Sequence, residues 1–307
     1  MNGALLVDKP PGPTSHDVVA FARRVLDGPR IGHTGTLDPL ATGLLVLLVG
    51  QATRLAQFLV ADDKEYLADV RLGVATRTYD AASLDETAVR VPMADARWPM
   101  DAEVEAVLAR FRGSFLQIPP PFSAKKIASV PAYEKARKNQ PVDLKPVPVT
   151  VRELEVLGTS AIGHRSSDLD AATLVRLRIV ASSGFYVRSL AHDIGQALGC
   201  GAHLEALRRT RAGRFRVEDG LTLDRVEAQG AGALVSLNAL LADMPPFVLT
   251  DEGLRRASHG NDVGPSHTTS VPSSPGARVR LLDPAGEVVA VAEPRVGGLL
   301  HPLVVLR

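Results

Sequence analysis

The chain has 307 residues, 45% apolar and 22% charged, which suffices for a full core and leaves room for two domains. Its formal net charge is only +1, so contact with nucleic acid has to come from local basic patches rather than a global field. The single cysteine, Cys200, excludes disulfide frameworks and four-cysteine zinc sites and fits a reducing compartment. No apolar run approaches the ~18 residues of a membrane span, and the amino terminus does not read as a signal peptide, so a cytoplasmic protein is expected.

Ala4 to Val7 reads as a short buried strand, stopped by the turn chemistry of Asp8-Lys9-Pro10-Pro11-Gly12-Pro13. Thr14 or Ser15 then offers an N-cap, with Asp17 in the positive first turn. Val18, Phe21, Ala22 and Val25 repeat at helical spacing, which predicts a helix over about 16–27. The stretch from Gly32 to Gly43 carries three glycines and one proline and has to be a tight loop. It also holds His33 and Asp38, and Asp38 is fixed in extended geometry by Pro39. An aspartate before proline commonly caps a turn, and the loop alone says no more than that. Leu44 to Val49 is a continuous apolar run, as in a strand buried on both faces. A loop leading into such a strand stands on a rigid base suited to catalytic groups.

A helical pattern resumes over 51–61. Glu65 to Gly73 alternates as a strand with Tyr66, Ala68, Val70 and Leu72 on one face. Residues 74–99 read as a surface excursion with a short strand near Ala88 to Val91, followed by a capped helix from Asp101 to Gly113. The prolines at 119–121 enforce an extended segment. From Ser123 to Lys145 six basic residues (Lys125, Lys126, Lys135, Arg137, Lys138, Lys145) face two acidic ones, a balance that suits a nucleic-acid clamp as well as a solvated face. Residues 158–170, rich in Gly, Ser and Asp, read as a disordered or hairpin-tip loop. A strand follows at Leu174 to Val180, then a helix from about Val187 that places Arg188 and His192 on one face and closes at Gly199 to Gly201. Five arginines lie between Arg208 and Arg216, and we read them as a phosphate-facing surface. Residues 238–246 read as a linker. Beyond them a short helix at Asp251 to Ala257 and strands at Val279–Leu282, Val288–Ala292 and Leu303–Leu306 outline a small β module with equal numbers of acids and bases.

Taken in order, these motifs resemble the TruB family of tRNA pseudouridine synthases, which isomerise uridine 55 in the T-arm. The resemblance rests on Asp8 to Asp17, Gly32 to Gly43, Lys64-Glu65-Tyr66, Arg71-Leu72-Gly73 and Thr76 to Asp80. Pro119 to Lys126 with Tyr133, Ser183 to Arg188, and Gly201 to Leu204 with Leu207 to Thr210 complete it. It implies an α+β pseudouridine synthase fold, with a mixed, mostly antiparallel sheet flanked by helices. It divides the chain into a catalytic domain over 1–245, with an RNA-clamping insertion at about 123–150, and a PUA-like β domain over 246–307. It makes Asp38 the catalytic carboxylate, Arg188 its ion-pair partner, and Tyr66 and Tyr186 active-site tyrosines. His33 becomes the residue that helps extract the base and Leu207 an apolar wall, with Lys9, Lys125, Lys126, Tyr133, Arg208 and Arg209 on the RNA.

The chemistry cleaves a glycosidic bond and rejoins the base through carbon, so it needs no redox or energy input; no metal or cofactor is expected. A buried carboxylate alone would be protonated, and a nearby Arg188 would keep Asp38 charged. Attack at C6, attack at C1′ and a glycal route all remain open for Asp38. Flipping the target base costs a few kcal/mol, and stacking on Tyr66 would return about 1–3 kcal/mol. The expected enzyme is a monomer acting on the T-arm stem-loop, with no membrane, guide RNA or obligatory protein partner. A guide-dependent isomerase, a non-catalytic RNA-binding protein and a hydrolytic glycosidase are the competing classes; the last lacks a second carboxylate placed by motif.

Overall fold

The apolar run after the Gly32 to Gly43 loop becomes a strand buried from Leu44 to Val49, and the other layers build outward from it. The computed structural model describes residues 1–28, 30–84, 88–90, 101–123, 125–127, 130–138, 140–162, 172–269 and 277–306. In chain order, β1 (Gly3–Lys9), α1 (Ser15–Val25), β2 (Ile31–His33) and β3 (Thr42–Val49) lead through a 3-10 segment into α2 (Ala56–Leu59) and β4 (Lys64–Leu72). Then come β5 (Val74–Ala75), β6 (Val89–Arg90), α3 (Asp101–Leu108), β7 (Gly113–Gln117), β8 (Lys126–Ile127), β9 (Val130–Pro131) and α4 (Ala132–Arg137). The long hairpin of β10 (Val147–Ile162) and β11 (Ala172–Ala181) is followed by α5 (Val187–Leu198), β12 (Ala202–Ala212), β13 (Phe215–Arg216), α6 (Leu223–Gln229) and α7 (Leu237–Leu240). The remaining elements are β14 (Pro246–Val248), α8 (Asp251–Ser258), β15 (Val279–Leu282), β16 (Val288–Pro294) and β17 (Leu300–Val305).

The main sheet runs β1-β3-β12-β4-β11-β10-β7, with β2 attached to β3 and β13 to β12. Its described pairings are antiparallel except β3 with β12, where Arg208 stands opposite Thr42 and Arg209 opposite Gly43. The sheet is therefore mixed and mostly antiparallel, as the resemblance implies. Gly43 explains how the parallel pair closes: with φ at +96°, a Cβ there would stand 2.3 Å from the Arg209 carbonyl oxygen. Thr14 caps α1 in a reciprocal box with Asp17, which settles the choice between Thr14 and Ser15.

Strand β3 is apolar from Leu44 to Val49 because both of its faces are covered. Leu45, Leu47 and Val49 join Leu5, Val7 and the helices in one core. Leu44, Val46 and Leu48 join Ala4, Leu6 and, from the carboxy-terminal strands, Leu282, Val291 and Val304 in another. That second sheet has the order β14-β15-β16-β17. Arg54 donates to the Val305 carbonyl, Arg280 to that of Asn238, and Asn238 to that of Gly286, so polar contacts also tie it down.

Several expected boundaries move. The helical pattern over 51–61 is a 3-10 helix at Gly50–Leu55 and one turn of α2. The helix expected to reach Gly113 ends at Leu108, passes through a 3-10 turn, and Gly113 already opens β7. Residues 158–162 belong to β10, because Ile162 still pairs with Ala172; the rest of the expected 158–170 loop lies outside the described residues. Likewise 147–150 of the expected insertion are sheet, paired with β7 from Val147 opposite Gln117. The expected linker over 238–246 begins as α7, with Leu240 and Leu241 buried under the second sheet.

Because the two sheets share a buried cluster, they are expected to unfold together. Val291→Ala, at a position with no exposure, is expected to cost about 1–3 kcal/mol. Urea denaturation should show one transition shifted as a whole; a separate early transition of the tail would contradict the shared core.

Candidate active site

The Asp38 loop is held from beneath by side chains that terminate on its backbone. Ser15, buried at the start of α1, accepts from the Leu37 N–H at 2.8 Å and donates to the Leu37 carbonyl at 2.9 Å. Lys9 is wholly buried, and its ammonium donates to the carbonyls of Pro10 (2.9 Å), Pro13 (2.7 Å) and Pro39 (3.3 Å). Arg209, also buried, donates from Nη2 to the Gly35 carbonyl at 3.0 Å and from Nε to that of Leu44 at 2.7 Å. Three cationic or hydroxylic side chains thus satisfy backbone groups that a glycine-rich loop leaves unpaired.

Arg188 approaches Asp38 from the first turn of α5. Nε lies 2.9 Å from Asp38 Oδ2 and Nη2 donates to Oδ1 at 3.1 Å, a two-pronged fork. Nη2 also donates to the Phe122 carbonyl at 3.0 Å and Nη1 to that of Thr78 at 3.1 Å, with Asp80 Oδ2 at 3.7 Å. The Arg188 side chain is 7% exposed and that of Asp38 33%, so the cation is sealed while the carboxylate keeps one open side. Asp80 is buried and takes bonds from the Thr78 hydroxyl (2.5 Å) and the Ala82 N–H (3.1 Å).

Burial pushes the Asp38 carboxyl above the usual carboxylate range, Arg188 and Lys9 pull it down, and Asp80 pushes it up. The outcome is upward, so Arg188 opposes burial, in the direction that favours the charged form, and offsets it in part. Burial likewise raises the Tyr186 hydroxyl; Arg188 opposes this and Asp38 adds to it, which places all three in one electrostatic unit. Tyr186 caps α5, and its backbone exchanges bonds with the Gln117 side chain at 2.8 and 3.0 Å.

The other expected site residues divide. Tyr66 lies on β4 opposite Arg209 and packs, half-buried, against the core that contains Leu37 and Leu207. Leu207 is buried on β12, and its carbonyl accepts from the Thr42 hydroxyl. His33 ends β2 half-buried; its Nδ1 has no hydrogen-bond partner among the described residues, and burial with Arg209 nearby lowers its pKa. Lys125 is exposed, and Tyr133 sits on α4 with the Arg137 guanidinium 5.4 Å from its ring centre. The Lys126 side chain lies outside the described residues. Lys9 and Arg209, expected on the RNA, are instead internal, because their charged heads are consumed by loop carbonyls. Arg208 forks onto Asp8 at 2.8 and 3.0 Å while remaining partly exposed. Arg211 and Arg214 are paired with Glu65 and Asp243, so the arginine cluster is not one phosphate-facing surface. Asp80, Gln117 and Ser15 carry the site without a site role legible from sequence, although Ser15 is a candidate N-cap and Asp80 closes the Thr76 to Asp80 motif; a carboxylate 42 positions from Asp38 leaves no local periodicity to find. Among the described residues no group of three or more His, Cys, Asp or Glu side chains could hold a metal ion.

The architecture is shared with known proteins. The structure titled as a Cbf5-Nop10-Gar1 complex superimposes with a TM-score of 0.68 at 26% identity, over 99% of this chain and 85% of that one. An H/ACA RNP bound to a substrate RNA gives 0.69 at 24% identity, over 99% and 85%, a likeness of fold alone. The fold is that of the pseudouridine synthases, with a small PUA-like sheet at the carboxy end. In sequence, the description "TruB family pseudouridylate synthase (N terminal domain)" matches residues 23–187, and "tRNA pseudouridylate synthase B C-terminal domain" matches 188–244. The tRNA pseudouridine synthase B of Solibacter usitatus is 41% identical over 312 residues, spanning 100% of both chains. That of Thermobifida fusca is 42% identical over 307 residues, 99% of this chain and 98% of its own. The chain belongs to the TruB family of pseudouridylate synthases and is an isomerase.

Two outcomes follow from this electrostatic arrangement. Asp193 on α5 is pushed up to about 6 by burial. Its folded form therefore binds the proton more tightly than the unfolded chain, and stability falls as pH rises from about 4 to 6. Asp193→Asn should remove that slope and add about 1–2 kcal/mol at pH 7 in urea titrations. Arg188→Ala leaves Asp38 facing Asp80 without its counter-charge, and the catalysed rate should drop by about 10²–10³-fold in single-turnover assays.

Proposed function

We propose that this chain converts uridine to pseudouridine in tRNA, at position 55 of the T-arm, with Asp38 as the catalytic carboxylate. The observation that carries the reading is the fork of Arg188 onto both oxygens of Asp38 on a loop braced by Ser15, Lys9 and Arg209. The relatives at 41–42% identity are named for tRNA and span nearly the whole chain, which supports a tRNA substrate; action without a guide RNA or protein partner is part of the same proposal. In the reaction the N1–C1′ bond breaks, the uracil turns, and a C5–C1′ bond forms; a proton leaves C5 and N1 gains one. Atoms and charge balance without oxidant, reductant or cofactor.

The carboxylate must meet a base that has left the loop stack. The half-buried His33, neutral at pH 7, is the proposed group that enters the vacated stack, with Tyr66 as the platform under the uracil and Tyr186 beside the ribose. Leu207 is the proposed apolar wall, and Lys125, Tyr133 and the open side of Arg208 the proposed RNA contacts. The proposed domain boundary falls at 245/246, where the chain enters β14 of the second sheet; both family matches end before it.

The test is tritium release from a T-arm transcript labelled at C5 of uridine. Wild type should release tritium, and Asp38→Asn should lose more than about 10³-fold in rate. Because Asp38 has to be ionised and its pKa is raised, the ascending limb of activity should lie above the ordinary carboxylate range of about 4. Release that survives Asp38→Asn would remove Asp38 from the chemistry; binding without release by wild type would favour a non-catalytic or guide-dependent role.

A further inference from the structure

Tyr79 holds φ at +64°, a left-handed conformation that a bulky aromatic residue keeps only under outside constraint. The constraint comes from two sides. Its ring stacks on the His192 imidazole, with centres 3.9 Å apart and planes 9° from parallel. Its carbonyl accepts from the Leu204 N–H at 2.9 Å, which fastens the turn to β12. The residues on either side of it serve Arg188: Thr78 offers its carbonyl and Asp80 its carboxylate. Arg188 and His192 are four apart on α5, so one helix face grips the turn at both points, by guanidinium at 78 and 80 and by imidazole at 79. The His192 Nδ1 is buried with no hydrogen-bond partner among the described residues, and the stack on Tyr79 is the ring contact described for this imidazole.

We infer that the Tyr79–His192 stack positions the Arg188–Asp38 pair, by locking the 76–84 turn against α5 in the one backbone conformation that aims Thr78 and Asp80 at Arg188. Both are positioning residues that act through Arg188. The inference rests on the reading of Asp38 as the catalytic carboxylate. The charged or titratable groups around Asp38 are Arg188 from α5, Tyr186 before it, Asp80 from the turn and Lys9 from β1. None of these changes in the variants below; Asp193, which follows His192 on α5 and acts on the Tyr79 hydroxyl, is the other carboxylate near the stack, and repeating each variant with Asp193→Asn removes its titration, so a shift that persists there reports orientation.

The experiment measures tritium release across pH under steady-state and single-turnover conditions, with thermal melts at each pH, on the full chain. Tyr79→Gly removes the ring while relieving the left-handed strain; His192→Leu fills the space without an aromatic face. Both should lower kcat about 10- to 100-fold with KM unchanged, and both should move the ascending limb to higher pH as Arg188 slackens its hold. Tyr79→Phe and His192→Phe keep the stack and should keep rate and profile. Wild-type kcat and pH limb in Tyr79→Gly or His192→Leu, whatever the melting temperature, would overturn the inference. If Tyr79→Gly does not fold, His192→Leu decides alone by the same criteria. Asp38→Asn run in parallel separates the cases: activity retained there defeats the catalytic reading, whereas activity lost there with the stack variants unaffected defeats only this inference.

Discussion

Arginine has its N–H donors in a rigid planar fork, and Arg188 directs them at groups from three separate segments of chain, four contacts within hydrogen-bond reach and one looser ion pair to Asp80. Two point at Asp38, and the rest at Phe122, Thr78 and Asp80. Such a cation is costly to bury, and the cost is met only if every acceptor is in place. The interaction therefore couples the 32–43 loop, the turn at 76–84, the extended 117–123 segment and the start of α5 into one assembly. Losing any acceptor leaves a buried charge short of a partner. The asymmetry of exposure within the ion pair lets the same contact fix the carboxylate and leave it accessible.

The basic residues around this assembly do two kinds of work, and their environment distinguishes them. Lys9 and Arg209 end on backbone carbonyls inside the molecule and act as cross-braces for a loop that cannot brace itself by secondary structure. Burial lowers the Lys9 pKa, although Asp38 and Asp17 resist the shift, and the ammonium is kept there by three carbonyl acceptors. Lys125 and the partly exposed Arg208 keep their charge at the surface, where an anionic partner can meet it.

Strand β3 links the site to the rest of the molecule. One face supports the helices that carry Ser15 and Arg188, and the other rests on the carboxy-terminal sheet. Packing on both faces leaves the strand no slack, so the loop that precedes it starts from a fixed point. The tail is thus part of the scaffold beneath the active site as well as a separate sheet.

Much was legible from sequence because it is local. Glycine and proline spacing marked the Asp38 loop, the continuous apolar run marked β3, alternation marked β4 and β11, and helical spacing put Arg188 and His192 on one face of α5. These patterns depend on backbone stereochemistry and on which face is apolar, both of which neighbouring residues determine. The family motifs added Asp38 and its partner Arg188 by position. Tertiary structure alone decided that Asp80 and the Thr78 carbonyl share Arg188, that Arg209 serves the loop rather than RNA, and that Tyr79 is held in a left-handed turn by His192. It also decided that the second face of β3 is covered by strands more than two hundred residues later in the chain. Those facts depend on which segments the sheet order brings together, and on which charges find a partner once water has gone. Neither is encoded within a window of sequence, since the partner of a buried charge is chosen by the whole fold.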